Sequence, residues 1–426
     1  MSSENGIRAW LQTTTGVVAV LLAVQFLTGV LLAFYYVPSV DHAYTTVSYI
    51  EKVASSGSWI RSLHHYGSQW LTVFVFIHLI RLFWNSAYAV NRIQWIAAVL
   101  LLGLVTAAGG TGYSLPWDAR AFFSTRVAEG LMAGLPFAGG LARLWLLGGS
   151  EISPVTLSRF FALHVLVIPA LIVVVVVWRL FHSQIAALLG PRDAIVGALV
   201  FLALALWALK NPAPLGPAVT EAGADYLPRP GAQFLWLYQS LKYIPGGLGS
   251  IIGVVLPGIV LAVLIALPWL KRQRLIAGSL LGAGVVLILI MTMASYLSDR
   301  RDPKTAKQFA RQTAAEEAWR REPFKPATIT LAATIDAAAT GGAPEMYTKF
   351  CANCHGPHGE GAQQGPLRFP PLLDVSTKPR RSVDDIVALL KDPAAYGLQP
   401  PMRSFSDKLT EEQMLTIAEW IVKLKR

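Results

Sequence analysis

Charge and cysteine are the scarce ingredients of this chain. Charged residues make up 14% of its 426 positions, against about 25% in an ordinary soluble protein. Cysteine occurs only twice, which rules out the multiply bridged framework of a small secreted domain. The net charge is +11, but no basic stripe with interleaved aromatics occurs, so nucleic acid is not an expected partner. Much of the excess lies at the edges of apolar runs and after Ser298. A basic leader before the first apolar run, near Val17, is missing as well, and no cleavable signal peptide is expected. No internal repeat stands out. What fills the chain instead is apolar: 54% of residues are hydrophobic and the mean hydropathy is +0.48. That combination describes a membrane protein with a soluble part attached, in a length with room for two or three domains.

The two cysteines stand together in Cys351-Ala352-Asn353-Cys354-His355. C-x-x-C-H is the attachment signature of a c-type haem. The thiols form thioethers with the haem vinyl groups, and the imidazole of His355 takes one axial position on iron. Two cysteines at this spacing without the histidine would read as a redox disulfide. With both committed to haem, none remains for a disulfide, a zinc site or a thiolate-held iron–sulfur cluster. Covalent haem is attached outside the cytoplasm, so Cys351 is expected on the outer side of a membrane.

Seven stretches are long enough to span a bilayer at about twenty residues each. They are 15–36, 64–84, 94–114, 155–178, 193–209, 249–270 and 275–297, here spans A to G. Residues 120–147 read as short helices lying on the membrane surface. Residues 211–245 are rich in Pro and Gly and cannot span. Ser298 to Phe324 is highly charged and reads as a solvated helix with a linker, followed by a small, flexible stretch from Thr328 to Gly342. From Ala343 the chain looks like a compact soluble domain. Basic residues in the short loops set orientation: Arg8, Arg81, Arg92, Arg192, Lys271, Arg272 and Arg274 favour the cytoplasm. An odd number of spans then sends the end of G outside, as the C-x-x-C-H motif independently requires. The expected location is a bacterial-type cytoplasmic membrane, multi-pass, with the N-terminus cytoplasmic.

His64 and His78 lie fourteen residues apart on span B, which is about 21 Å of rise and within about 40° of one face. Two haem irons stacked across a bilayer need that arrangement. Span D supplies His164 near its outer end. Neutral imidazole is a good iron ligand, and an ionisable group inside a span marks function by default.

The surrounding residues carry a resemblance. Ile60-Arg61-Ser62-Leu63-His64-His65-Tyr66-Gly67, continuing to His78-Leu79-Ile80-Arg81, resembles helix B of the cytochrome b family. Gly112-Tyr113-Ser114-Leu115-Pro116-Trp117-Asp118 resembles that family's motif after helix C. Thr156-Leu157-Ser158-Arg159-Phe160-Phe161-Ala162-Leu163-His164, with Pro169 beyond, resembles its helix D, and Gln25, Thr28-Gly29 and Phe34-Tyr35-Tyr36 its helix A. The resemblance is strong over 10–182 and weaker to about 297. The C-terminal residues resemble a class I cytochrome c.

The resemblance implies an all-α fold: a polytopic transmembrane bundle with a C-terminal class I cytochrome c domain. Its parts would be an N-terminal four-helix haem-binding domain (1–190), a three-helix second half of cytochrome b (191–297), a charged linker (298–342) and the cytochrome c domain (343–426). By family position His64 and His164 would ligate an outer, low-potential haem b, and His78 an inner, high-potential one. Gly16, Gly29, Gly109 and Gly112 fit positions where haem needs close backbone approach. The fourth b ligand departs from the family. It belongs fourteen or fifteen residues after His164, where this sequence has Trp178 and Arg179. His182 is the nearest histidine, and eighteen residues make five full turns, so it is the expected ligand. It lies about 6 Å deeper than the helix B spacing wants, a difference that a tilt, a π-bulge or a shifted haem would absorb. The other reading of His182 is an interfacial residue near a quinone or lipid headgroup, with the inner haem absent or differently ligated.

A second departure concerns quinol. The family's Pro-Glu-Trp-Tyr motif, whose Glu takes a proton, is matched by Pro230-Gly231-Ala232-Gln233. Glycine accepts no proton, and the Gln233 amide can hydrogen-bond a quinone without acting as a base. Glu221 and Asp225 are the nearby carboxylates, as substitutes or as ordinary loop charges, and no catalytic residue is assigned. In the C-terminal domain Met402 is the expected second ligand of haem c, a thioether raising the potential. Met346 and Met414 read better as core. Thr410-Glu411-Glu412-Gln413 is a capping box opening the last helix, with Leu415, Ile417, Ala418, Ile421 and Val422 on its apolar side.

The function implied is the core subunit of a quinol:cytochrome c oxidoreductase, carrying two haem b and one haem c. The alternative is a non-catalytic electron conduit and anchor in a larger respiratory complex. Implied partners are a separate Rieske-type iron–sulfur protein, a soluble or membrane cytochrome or oxidase as acceptor, quinone, the lipid bilayer and, by family analogy, a second copy of the chain.

Overall fold

The computed structural model describes residues 13–149, 151–182, 190–223, 225–244, 246–270, 274–324, 344–364, 367–373, 381–396, 402 and 404–424. Arg8, Lys271 and Arg272 of the orientation argument, and the stretch from Thr328 to Gly342, lie outside the described residues. The chain divides into two compact units, a membrane unit that ends at Phe324 and a C-terminal unit from Lys325.

The membrane unit is helical. Its elements are α1 (Thr14–Ala33), α2 (Ala43–Lys52), α3 (Gly57–Trp84), α4 (Arg92–Ser114), α5 (Ala119–Ala133), α6 (Gly139–Leu147), α7 (Pro154–Phe181), α8 (Pro191–Lys210), α9 (Leu235–Tyr243), α10 (Gly247–Trp269), α11 (Arg274–Arg301) and α12 (Pro303–Arg321). Among the described residues seven helices are long and apolar enough to cross a membrane: α1, α3, α4, α7, α8, α10 and α11. They coincide with spans A to G. The two short helices expected between C and D are α5 and α6.

A stripe of α1 at helical spacing, Val17, Leu21, Val24 and Thr28, is buried, while Leu27 on the same helix is 68% exposed. An apolar side chain facing lipid tails loses nothing by that exposure, whereas in water each such residue would cost about 1.5–3 kcal/mol. The buried stripe meets Leu63, Leu71 and Val75 of α3, with Leu101 of α4, Ile172 of α7 and Leu204 of α8 closing the same core. A second core joins Leu79 of α3, Trp95 of α4 and Leu264 of α10, and the Trp95 indole donates to the Leu264 carbonyl at 2.7 Å. α7 is not uniform. Leu163–Val167 forms a π-helical turn, so the segment carrying His164 holds an extra residue.

The charged segment after span G is a helix, as expected, but it is solvated along one side only and belongs to the membrane unit. α12 folds back along loops of the membrane unit. Glu316 pairs with Arg320 and Arg120 and accepts from the Leu215 amide; Arg320 also pairs with Glu51. Gln312 exchanges hydrogen bonds with the Leu227 backbone, and the Lys52 ammonium sits 3.9 Å over the Trp319 ring. Two of its charges, Glu316 and Arg320, are met by partners, while Lys304, Lys307, Arg311, Glu317 and Arg321 stay exposed.

The C-terminal unit contains α13 (Glu345–Phe350), α14 (Ala352–His355), a two-stranded antiparallel hairpin, β1 (Ala362–Gln364) with β2 (Leu367–Phe369), α15 (Val383–Lys391) and α16 (Glu411–Lys423). The hairpin is a small exception to an otherwise helical chain. Thr410 and Gln413 form the expected capping box. The buried side of α16 is Met414, Ile417, Ala418 and Ile421, and Leu415 instead lies 41% exposed.

Candidate functional site

Four helices bring His64 and His164 together. The rings of His64 on α3 and His164 on α7 face each other with centroids 5.9 Å apart and planes at 80°. Each Nδ1 is engaged by a neighbour. Thr28 Oγ1 of α1 donates to the Val24 carbonyl and thereby presents its lone pair to His64 Nδ1 at 2.9 Å. His164 Nδ1 donates to the Ala108 carbonyl of α4 at 3.0 Å. Both imidazoles are therefore held as Nδ1–H tautomers, with Nε2 as the basic nitrogen. Glycines stand beside both rings. A Cβ on Gly29 would lie 3.2 Å from His64 Cε1, and one on Gly112 would lie 2.4 Å from His164 Cε1. The first is tight; the second cannot exist without moving the ring.

At the other end of α3, His78 is buried, with Nδ1 2.7 Å from Thr14 Oγ1 of α1. No ring contact joins it to another imidazole among the described residues. His182 caps the end of α7, is exposed, and turns Nδ1 back onto the Trp178 carbonyl at 2.8 Å. Gly16 does not face an imidazole: a Cβ there would strike Asp193 of α8 at 2.5 Å, and its amide donates to Asp193 Oδ1. Gly109 faces Gln233 and Phe234, at 3.7 and 4.0 Å from a Cβ placed there.

Around Gly231 the loop before α9 meets the end of α4. Gly231 lies against Tyr113 and Gln233, Tyr113 donates to the Arg229 carbonyl, and the Gln233 Oε1 is buried without a hydrogen-bond partner. An orphaned buried carbonyl oxygen is costly and would be satisfied by a hydroxyl donor from a ligand. Of the loop carboxylates, Glu221 is exposed and Asp225 accepts from Gln308 of α12. Sequence reasoning missed Asp299 near the end of α11, a buried carboxylate paired with Arg229 and Lys242. The signal available was an acid at the edge of a span.

In the C-terminal unit Cys351 is buried and closes α13, and His355 ends α14 with Nδ1 2.9 Å from the Pro370 carbonyl. Burial, then the neighbouring Cys354, pushes the Cys351 thiol up to about 12. The Tyr347 hydroxyl donates to the Gly356 carbonyl, and Gly356 has φ 81°, a left-handed turn that glycine adopts without strain. Met402 is half-buried and packs on the core formed by Tyr347, Leu390 and Ile417. Met414 is core, and Met346 packs against it.

A family model described as cytochrome b/b6/petB matches residues 3–185. The menaquinol:cytochrome c reductase cytochrome b subunit of Geobacillus thermodenitrificans is 33% identical over 157 residues, 36% of this chain and 70% of that protein. The chain belongs to the cytochrome b/b6 family. Cytochrome b6 of Picosynechococcus sp. is 31% identical over 177 residues, 41% of this chain and 80% of the relative. A second family model, described as cytochrome c, matches residues 339–425, so this cytochrome b carries a cytochrome c domain at its C-terminal end. A solved structure described as a hyperthermophilic respiratory Complex III overlays with a TM-score of 0.54 at 19% identity, covering 72% of this chain and 89% of that one; at that identity the likeness concerns the fold. Cytochromes b and c are haem proteins, and the spans make this one an integral membrane protein. The His64 end fits a haem. Two imidazoles on opposite sides of one metal place their centroids about 6 Å apart when each metal–nitrogen bond is about 2 Å. The outward hydrogen bonds at Nδ1 are those that orient metal-ligating histidines.

Proposed function

We propose that this chain is the electron-carrying core subunit of a bc-type quinol:cytochrome c oxidoreductase. The observation that supports it best is the facing pair His64 and His164, with both Nδ1 atoms tied down, in a chain that also carries C-x-x-C-H. Bound at these residues, haem supplies one-electron chemistry. His64 and His164 hold haem b through Nε2, and Gly29 and Gly112 keep the backbone clear of it. Cys351 and Cys354 would hold haem c covalently, with His355 and Met402 as the side chains that would ligate its iron. Gln233 accepts a hydrogen bond from a quinol hydroxyl near Tyr113 and Phe234. The cytochrome c domain lies on the outer side of the membrane, where it meets a soluble or membrane-bound acceptor. A Rieske-type iron–sulfur protein is a separate partner, since both cysteines are committed.

A second reading has its own observation. Gly231 stands where the family carries its proton-accepting Glu, which favours a conduit that receives electrons from a partner instead of from quinol. Mixing purified oxidised protein with a menaquinol analogue, with and without a Rieske partner, separates the two. Reduction of the c haem that depends on the partner and is abolished by Gln233→Leu supports the enzyme. Reduction only by a protein donor, unchanged in Gln233→Leu, supports the conduit.

A further inference from the structure

Both ends of the bundle hold an α3 histidine by a threonine of α1, but among the described residues only His64 faces a second imidazole, and we infer that the chain binds a single haem b, at His64 and His164, while the His78 end is packed as protein. This rests on the proposed reading that haem b is bound at all.

The geometry comes from the helices themselves. On α3, fourteen residues separate His64 from His78. A partner for His78 on α7 must lie the same distance, about 21 Å, beyond His164. In an unbroken α-helix that is the fourteenth residue. α7 contains the π-helical turn Leu163–Val167, which holds one residue more than an α-turn. The position therefore falls to the fifteenth residue, Arg179. A guanidinium keeps its protons in proteins and has no lone pair to give a metal. His182 lies three residues further, about 4.5 Å deeper and about 60° around the helix, exposed and turned back onto Trp178.

The backbone gives the same answer. At the His64 end the glycines face imidazoles. At the His78 end Gly16 faces α8, so closely that Asp193 Cβ lies 2.5 Å and its carbonyl oxygen 2.6 Å from where a Cβ would be. Gly197 of α8 reciprocates: a Cβ there would lie 3.3 Å from the Gly16 carbonyl oxygen. The room made by Gly16 is taken by a helix.

The test counts haems. The full-length protein, produced with its covalent haem, should give a pyridine haemochrome ratio of one b to one c. A redox titration of membranes, before any extraction can strip haem, should show one b component. His164→Leu should remove all b absorbance, and His78→Leu should leave the ratio at one. Two b per c, two b components in the titration, or loss of a b component in His78→Leu would overturn the inference. No b haem in either measurement would instead overturn the haem b reading on which it stands, with the c haem as internal standard.

Discussion

At Gly112 a single hydrogen atom decides whether His164 can stand where it does. Even the smallest side chain would enter the ring at 2.4 Å, and the ring is pinned from behind by the Ala108 carbonyl. Gly112→Val should therefore abolish b absorbance, and Gly29→Ala, at 3.2 Å, should only reduce it; visible spectra of membranes normalised to covalent haem would show both. Met402 packs half-buried on the core of its unit. Met402→His should keep the covalent haem and lower its midpoint potential, because a thioether ligand raises potential; potentiometric titration reads the shift, and an unchanged potential would remove Met402 from the ligand set. The histidines were legible in the sequence because an imidazole in a span is costly and so conspicuous. Their threonine and carbonyl partners were not, since those lie on other helices. Gly16 shows the limit of reading a glycine: it was expected to make room for haem, and the structure sets it against Asp193 of α8.

Helix α12 had the opposite fate to the spans. Apolar length alone announces a span, and all seven spans were legible for that reason. A charged helix announces only that it avoids lipid; whether water or counter-charges receive it depends on residues hundreds of positions away. Glu51 of α2 receives Arg320 of α12 together with Arg61 of α3. Burial pushes the Glu51 carboxyl up, but Arg61 and Arg320, with a hydrogen bond from Ser58, outweigh it and hold the carboxyl below its ordinary value of 4.5. A carboxyl held low when folded stabilises the docked state fully above its unfolded pKa and loses that contribution as pH falls through the lower, folded one. α12 should thus stay docked at neutral pH and loosen on acidification below about pH 4.5. Glu51→Gln should weaken docking by about 3 kcal/mol at pH 7, as expected when a buried ion pair loses one partner. Protease sensitivity between Asp302 and Phe324, followed against pH in both proteins, checks this; equal sensitivity at every pH would mean the pair contributes nothing.

The molecule as a whole joins two folds that do not share a core, as the separate clusters around Leu71 and Ile417 show. Replacing Cys351 and Cys354 by Ala should remove haem staining from denaturing gels while the b spectrum stays. The presence of a second part was legible from the C-x-x-C-H motif, but the division falls after Phe324 and not after residue 297, because α12 docks on the membrane unit, and the second half of that unit, α8, α10 and α11, was legible only as spans because few of its residues carry chemistry. Arg179 has a consequence for energy conversion. A metal centre changes its charge with each electron, but a guanidinium holds one charge permanently. With an arginine where an inner ligand would stand, and a single haem b at His64 and His164, this chain would offer electrons no second haem b on which to cross the low-dielectric layer. Each electron moved across it would be worth about 2.3 kcal/mol per 100 mV of membrane potential. This chain would forgo that work, and turnover in sealed vesicles should leave a voltage-sensitive dye silent.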